Sequence, residues 1–96
     1  TGVNNVGPGG VATVNKIDLK GRTKLKMLFN ADSVADTSFL VVLANKSDDM
    51  VNAPSAKASL TAGSQQTVSL DITAITEGYI GITSTRPTYI YDVWLE

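Results

Sequence analysis

The last nine residues of the chain, "TYIYDVWLE" (residues 88–96), contain the side chains best suited to hold a ligand. Trp94 is the only tryptophan, and Asp92 lies two positions before it. An indole ring offers a flat apolar face for stacking, and a carboxylate accepts hydrogen bonds from hydroxyl groups. If Val93 and Leu95 face a core, strand alternation turns Asp92 and Trp94 towards solvent. The pair therefore predicts a surface that stacks against a sugar ring and binds its hydroxyls.

The same alternation predicts which way the other aromatic residues of this strand face. It turns Tyr89 and Tyr91 inward with Val93, and it turns Ile90 outward. A bulge, or an N-terminal segment lying over the strand, would instead place Trp94 in the core. The sequence leaves these two interpretations of Trp94 open.

Other kinds of chemistry find little support in the chain. It has no histidine and no cysteine, which excludes Ser-His and Cys-His nucleophile pairs, thiolate metal sites and disulfides. Asp48 and Asp49 are adjacent, and neighbours in sequence rarely face each other across the separation of about 5–9 Å that glycosidase carboxylates need. We therefore expect no enzymatic activity and no cofactor.

One loop carries oxygen ligands that suit calcium. "NKSDD" (residues 45–49) and Asn52 supply carboxylate and amide oxygens. They lack the spacing of an EF-hand loop, which favours a solvated loop. A structural calcium ion held between loops is the alternative.

Composition limits the domain organisation and the partners. The chain has 96 residues, is 43% hydrophobic and carries a formal net charge of −1, as expected for one globular domain. Without a basic block, neither nucleic acid nor an anionic membrane is an expected partner. "TGVNNVGPGG" predicts a linker or N-terminal extension over residues 1–10, followed by a single domain over residues 11–96. This opening has no signal-peptide pattern and reads like a cut inside a longer protein.

Alternating segments dominate the rest of the chain. "TKLKMLFNA" (residues 23–31) places Leu25, Met27 and Phe29 on one face, and Lys24, Lys26, Leu28 and Asn30 on the other. "TVSLDI" and "GYIGIT" alternate in the same way, whereas "SFLVVLAN" (residues 38–45) has a continuous apolar run that is typical of a central strand covered on both faces.

About seven strands at regular spacing, with no strong helical segment, predict an all-β antiparallel β-sandwich. If successive strands run antiparallel, loops gather at two ends of the molecule. One end would bring together Asn30, Asp32, Asp36, Gln65 and Arg86, and loops on a rigid β scaffold often carry function.

Three stretches also carry a family resemblance. "KIDLKGRTKLKM", "QQTVSLDITAITEGYIGI" and "YIYDVWLE" resemble the galactose-binding-like jelly-roll modules of Gram-positive phage tail and baseplate proteins and of related bacterial surface proteins. The resemblance covers residues 15–96 and implies a jelly-roll fold in a non-catalytic binding module. It further implies cell-wall saccharides as ligands, a homo-trimer, and a place on a virion tail, a baseplate or the extracellular cell surface.

Two functional hypotheses follow from these observations. The first is a carbohydrate-binding or receptor-recognition module attached to other domains of a parent protein. Its expected contact residues are Trp94, Asp92, Arg86, Asp32 and Asn30. The second is a structural spacer or assembly domain of a larger fibre or baseplate, with no small-molecule ligand. Exposure of the aromatic side chains separates the two hypotheses.

Overall fold

The computed structural model describes residues 4–6, 9–34, 36–84 and 86–96. The predicted linker falls partly outside this range, at residues 1–3 and 7–8. Where it is described, the structure shows strands instead of a loop, because Asn4–Val6 and Gly9–Ala12 pair with strands near the C-terminus. The division of the chain into a linker and a domain at residue 10 stays a prediction.

The described residues form nine strands and no helix, which confirms the all-β prediction. The strands are β1 (Asn4–Val6), β2 (Gly9–Ala12), β3 (Ile17–Asp18), β4 (Lys24–Ala31), β5 (Phe39–Leu43), β6 (Ala56–Ser59), β7 (Gly63–Asp71), β8 (Glu77–Ser84) and β9 (Thr88–Leu95). In this part of the chain, no helix is long and apolar enough to cross a lipid bilayer.

The strands belong to two antiparallel sheets. Sheet I has the order β1-β9-β4-β7, and sheet II has the order β2-β8-β5-β6, with β3 also paired to β8. The chain passes from one sheet to the other after β1, β3, β4, β6, β7 and β8. Buried side chains from both sheets form one core cluster, which includes Phe29 of sheet I and Leu40 of sheet II.

The alternation of β4 matches its sequence pattern. Leu25, Met27 and Phe29 are at most 1% exposed, and the residues between them are partly exposed. The alternation of β7 is confirmed too, because Leu70 and Val68 pair with Leu25 and Met27. Sheet I therefore has one face in the core and one face towards solvent.

The central strand of sheet II, β5, is covered on both faces. All five residues of β5 are buried: Leu40 and Val42 belong to the main core cluster, whereas Phe39, Val41 and Leu43 form a second cluster on the opposite face. Met50 and Val51, from the loop between β5 and β6, pack over that second cluster. The predicted central strand, covered on both sides, is confirmed.

The predicted first strand, ending near Leu19, is divided in two. Ala12 pairs with Gly81 and Ile17 pairs with Gly78, so the chain takes five steps where β8 takes three. The extra length loops out at Val14, which is 74% exposed. β2 and β3 thus lie end to end along one edge of sheet II.

A bulge in β9 corrects the predicted orientation of its aromatic residues. Leu28 pairs with Asp92 and the next residue, Phe29, pairs with Ile90, which leaves Tyr91 as the extra residue. One extra residue reverses every side chain on one side of it. Ile90 is therefore buried at 7% exposure and Tyr89 is exposed at 41%, the reverse of the sequence prediction.

Candidate ligand-binding face

The outer face of sheet I gathers three of the five predicted contact residues. Cross-strand neighbours share a face, and β4 and β9 pair Lys26 with Trp94, Leu28 with Asp92, and Asn30 with Tyr89. Because Leu25, Met27 and Phe29 point into the core, these six residues lie on the opposite side. Trp94, Asp92 and Asn30 are thus brought together on one surface.

Trp94 is partly buried and is held in place by its neighbours. Its indole Nε1–H donates a hydrogen bond to Glu96 Oε2 at 3.0 Å. The other carboxylate oxygen, Glu96 Oε1, lies 3.2 Å from Lys26 Nζ. Glu96 therefore links the indole of Trp94 in β9 to the ammonium group of Lys26 in β4, and this link restricts the orientation of the indole. This arrangement answers the question left open by the sequence, since Trp94 lies on the outer face and outside the core clusters.

The contacts of Glu96 also shift its acid–base equilibrium. The indole hydrogen bond, and then the hydrogen bond from Lys26, lower the pKa of Glu96 below its ordinary value. The ionised form is the one that holds the indole. Its contribution to stability is therefore fully present above the ordinary glutamate pKa and is lost as pH falls through the lowered pKa of the folded state.

A pH titration of Trp94 fluorescence tests this contact. We expect constant fluorescence from neutral pH down through the ordinary range of glutamate pKa values, and a change only below that range. The reason is that protonation of Glu96 weakens its hydrogen bond to the indole and its ion pair with Lys26. Glu96→Gln keeps an acceptor that does not titrate, so the acid step should disappear in this variant. Far-UV circular dichroism serves as a control for unfolding. An identical acid step in the wild type and in Glu96→Gln would contradict the assignment.

The same face extends along β9 to a second ring. Tyr89 is 41% exposed and lies beside Asn30, and Leu28 occupies the row between Tyr89 and Trp94. Four residues lie between the two rings along β9, which gives a distance of roughly 15 Å at the usual rise per residue. On the side of β4 away from β9, Ser69 and Thr67 of β7 add hydroxyl groups next to Lys26 and Leu28. The face is an elongated strip of rings bordered by polar groups.

The outer face of sheet I also differs from that of sheet II. Met50 and Val51 pack over the outward residues of β5 in sheet II, whereas on sheet I the residues of β4 between the core residues stay partly exposed. Among the described residues, the central strand is thus more open on the outer face of sheet I than on that of sheet II.

The other two predicted contact residues lie at one end of this sheet. Asp32 directly follows β4, and Arg86 lies between β8 and β9. The pairing of Asn30 with Tyr89 confirms that both loops are at the same end, as the sequence predicted. Arg86 and Asp32 are exposed, and neither takes part in the two ion pairs found among the described residues. They adjoin the outer face of sheet I without belonging to it.

A buried hydroxyl cluster shapes the turn that carries Arg86. The Ser84 hydroxyl donates a hydrogen bond to the Arg86 carbonyl at 2.7 Å and accepts one from the Arg86 amide at 3.1 Å. Thr88 also donates to the Arg86 carbonyl at 3.3 Å. Ser84 and Thr88 are fully buried, so this turn is anchored from below.

The acidic loop between β5 and β6 uses its carboxylates locally. Asp48 Oδ2 accepts the Asn45 amide at 2.9 Å, and Asp49 Oδ1 accepts the amides of Val51 and Asn52. Those backbone amides lower the pKa of Asp49. In the part of the chain that the structure describes, no three acidic side chains are grouped to hold a metal ion.

Sequence reasoning missed three members of the outer face. Strict alternation predicts Tyr89 in the core, because it does not detect the bulge at Tyr91. Glu96 and Lys26 were not connected to Trp94, although the alternation of "KLKM" and of "VWLE" places all three on one face once the two strands are paired. That pairing was the missing information.

No protein-family model, no curated protein and no solved structure matches this chain.

Proposed function

We propose that the chain is a non-catalytic carbohydrate-binding module whose binding surface is the outer face of sheet I. The observation that carries the proposal is the partly exposed indole of Trp94, which a hydrogen bond to Glu96 orients, with the Asp92 carboxylate and the Asn30 amide on the same face. The indole would stack on the apolar face of a sugar ring, and the polar groups would bind hydroxyls. Both kinds of contact act on the substrate without chemical change, so the proposed role is non-enzymatic and uses no cofactor.

The length of the face favours an oligosaccharide over a single sugar. Tyr89 and Trp94 lie roughly 15 Å apart along β9, given the usual rise per residue. A linear saccharide running along β9 would meet a ring at each end and Leu28 and Asp92 between them. Arg86 and Asp32, at the Tyr89 end, would contact a longer chain.

Charge supports a saccharide over nucleic acid or an anionic membrane. The chain has a formal net charge of −1, and the cations of the outer face have acidic neighbours: Lys26 pairs with Glu96, and Lys24 lies beside Asp71. Surfaces that bind phosphate backbones or anionic lipids need an excess of positive charge. The face instead offers rings, amides, hydroxyls and balanced charges.

The proposed architecture is a β-sandwich with the jelly-roll character of galactose-binding-like modules. It is supported by two antiparallel sheets that share one core and by the repeated passage of the chain between them. In this proposal the module belongs to a phage tail or baseplate protein, or to an extracellular surface protein, and works beside other domains of its parent. Weak single sites would gain strength from several copies, as on a trimeric carrier.

The test is a binding titration with Trp94 as the reporter. Iodide quenching of Trp94 fluorescence is measured alone and then with soluble peptidoglycan fragments, teichoic-acid glycans and galactosides. We expect strong quenching, and protection by one of these classes. Trp94→Ala, followed by calorimetry with that saccharide, should weaken binding at least about tenfold, because a stacking surface is lost.

Arg86→Ala provides the comparison for the position of the site. If the outer face of sheet I binds, Arg86→Ala should weaken binding less than Trp94→Ala. A greater loss of affinity in Arg86→Ala than in Trp94→Ala would place the binding site in the loops around Arg86 and Asp32. Quenching that no saccharide affects would refute the binding module and favour the structural spacer or assembly domain.

A further inference from the structure

The carboxylate of Asp92 lies in the middle of the strip that joins the two rings of the outer face. Along β9 it stands between Tyr89 and Trp94, and its cross-strand neighbour in β4 is Leu28. Asp92 is exposed. A linear saccharide that contacts both rings therefore has to pass over this carboxylate, and the charge at this position affects which sugars can occupy the centre of the strip.

One oxygen of the carboxylate is used locally and the other is not. Asp92 Oδ1 accepts a hydrogen bond from the Val93 amide at 2.9 Å, which holds the side chain close to its own strand. Among the described residues, Oδ2 accepts no hydrogen bond, and Asp92 takes part in neither of the two ion pairs. Asp92 thus presents an oriented acceptor whose negative charge is not compensated.

The lysines of the outer face have acidic neighbours of their own. Lys26 lies one row from Asp92, and its Nζ is 3.2 Å from Glu96 Oε1. Lys24, in the next row, pairs across the sheet with Asp71 of β7. On its other side, Lys24 exchanges two backbone hydrogen bonds with Glu96. Each lysine therefore has a carboxylate beside it, and neither offers an uncompensated positive charge to an anionic ligand.

The charged residues beyond the two rings lie outside the strip. At the Tyr89 end, Arg86 and Asp32 carry opposite charges. At the Trp94 end, Lys20 and Arg22 belong to the turn before β4, in which the Arg22 amide donates to the Leu19 carbonyl at 3.0 Å. Among the described residues of the strip itself, the one charge without a partner is that of Asp92.

We infer that Asp92 restricts the ligand to saccharides whose central part is neutral, and that it rejects sugars that carry a carboxylate, phosphate or sulfate group there. The inference rests on the proposed function, because it names the class of saccharide that the outer face of sheet I accepts. A sugar hydroxyl donates a hydrogen bond to Asp92 Oδ2, whereas an anionic group has no proton to donate and is repelled. Since the strip has no uncompensated cation, nothing offsets that repulsion, and the unfavourable contact provides the specificity.

Two pairs of tetrasaccharides, each with one neutral and one acidic member, test this selectivity. The first pair is the N-acetylglucosamine tetramer and the peptidoglycan glycan strand of equal length, in which alternate sugars carry a lactyl carboxylate. The second pair is the galactose tetramer and the galacturonate tetramer. Calorimetry gives the dissociation constants at about 0.01 M salt, where charges act over about 30 Å.

We expect a neutral member to bind, and its acidic counterpart to bind about three- to fivefold more weakly. This is the effect of one like-charge contact at a few ångströms in an aqueous surface. At about 1 M salt the difference between the two members should shrink, because the charges are screened.

Asp92→Asn isolates the charge, because the amide oxygen still accepts a hydrogen bond. In this variant the acidic and the neutral member should bind equally, within about twofold. Asp48→Asn is the matched control, since it removes the same charge from the loop between β5 and β6, which belongs to sheet II. Asp48→Asn should keep the wild-type ratio of the two dissociation constants.

The outcomes separate the selectivity from binding itself. An acidic tetramer that binds the wild type as tightly as its neutral counterpart would overturn the role of Asp92 and leave the carbohydrate-binding module standing. The same change of ratio in Asp48→Asn as in Asp92→Asn would also overturn it, because the net charge of the chain would then be the cause. Absence of binding to all four tetramers would overturn the selectivity, and a negative result with the wider panel of saccharides would refute the module as well.

Discussion

Replacing Phe29 by alanine is expected to lower the free energy of unfolding by about 3–5 kcal/mol, the range for deleting a buried aromatic ring. Phe29 is 1% exposed and lies in β4, between β9 and β7. Its ring belongs to the cluster that both sheets share, so its removal leaves a cavity with walls from two layers. A domain of this size has a total stability of about 5–15 kcal/mol, and the loss is a large part of it.

Urea denaturation followed by circular dichroism measures this effect. The matched control is Leu28→Ala, one position earlier on the outer face, where the side chain is only partly buried. It should cost about 1 kcal/mol or less, because little apolar surface returns to water. A cost for Leu28→Ala equal to that for Phe29→Ala would show that the assignment of faces in β4 is wrong. Equal m-values in the three proteins would confirm that only stability has changed.

The parts of the fold that sequence predicted are those with strict local periodicity. β4 and β7 alternate with period two, and their inward residues are the ones that pair and pack: Leu25 with Leu70, and Met27 with Val68. β5 was recognisable because an apolar run of strand length must be covered on both faces. In each case the pattern within one segment is enough to predict which of its side chains are buried.

Strands without such a pattern depend on partners that the sequence does not reveal. β1 has the polar sequence "NNV" and forms because the edge of β9 supplies its hydrogen bonds. The excursion at Val14, which divides the predicted first strand, depends on the length of the facing part of β8. Neither segment has a side-chain periodicity that marks it.

The candidate binding face was predicted in part for the same reason. The alternation of Asp92, Val93 and Trp94 correctly predicts that Asp92 and Trp94 lie on the outer face of sheet I. The bulge at Tyr91 reverses the facing of the side chains that precede it, so Tyr89 lies on the surface and Ile90 in the core. Counting alternate residues cannot detect one extra residue, since both halves of the strand still alternate.

Alanine at Gly78 is expected to destabilise the fold by about 1–3 kcal/mol, the range for overpacking a core. A Cβ atom there would lie 2.5 Å from Val42 Cγ1 and 3.0 Å from the backbone oxygen of Leu43. Val42 is fully buried and β-branched, so it has no free rotamer to adopt, and β5 is the central neighbour of β8. Relief would require displacement of β5 itself. Thermal and urea unfolding of Gly78→Ala measure the loss.

Gly81 in the same strand is the control that isolates this cause. A glycine inside a strand commonly marks a bulge or the close approach of another group. The ladder with β5 runs through Gly81 without a shift, and a Cβ atom would meet Met50 Cε at 3.1 Å and Val41 Cγ2 at 3.2 Å. Met50 lies in the loop between β5 and β6, and its flexible side chain can move aside. Val41, and the backbone oxygen of Val11 at 3.3 Å, would have to move by only a few tenths of an ångström, far less than Val42 at Gly78. Gly81→Ala should therefore cost less than Gly78→Ala. The opposite order would mean that the loop over sheet II is more rigid than the strands beneath it, and that sheet II is stabilised mainly from its outer side.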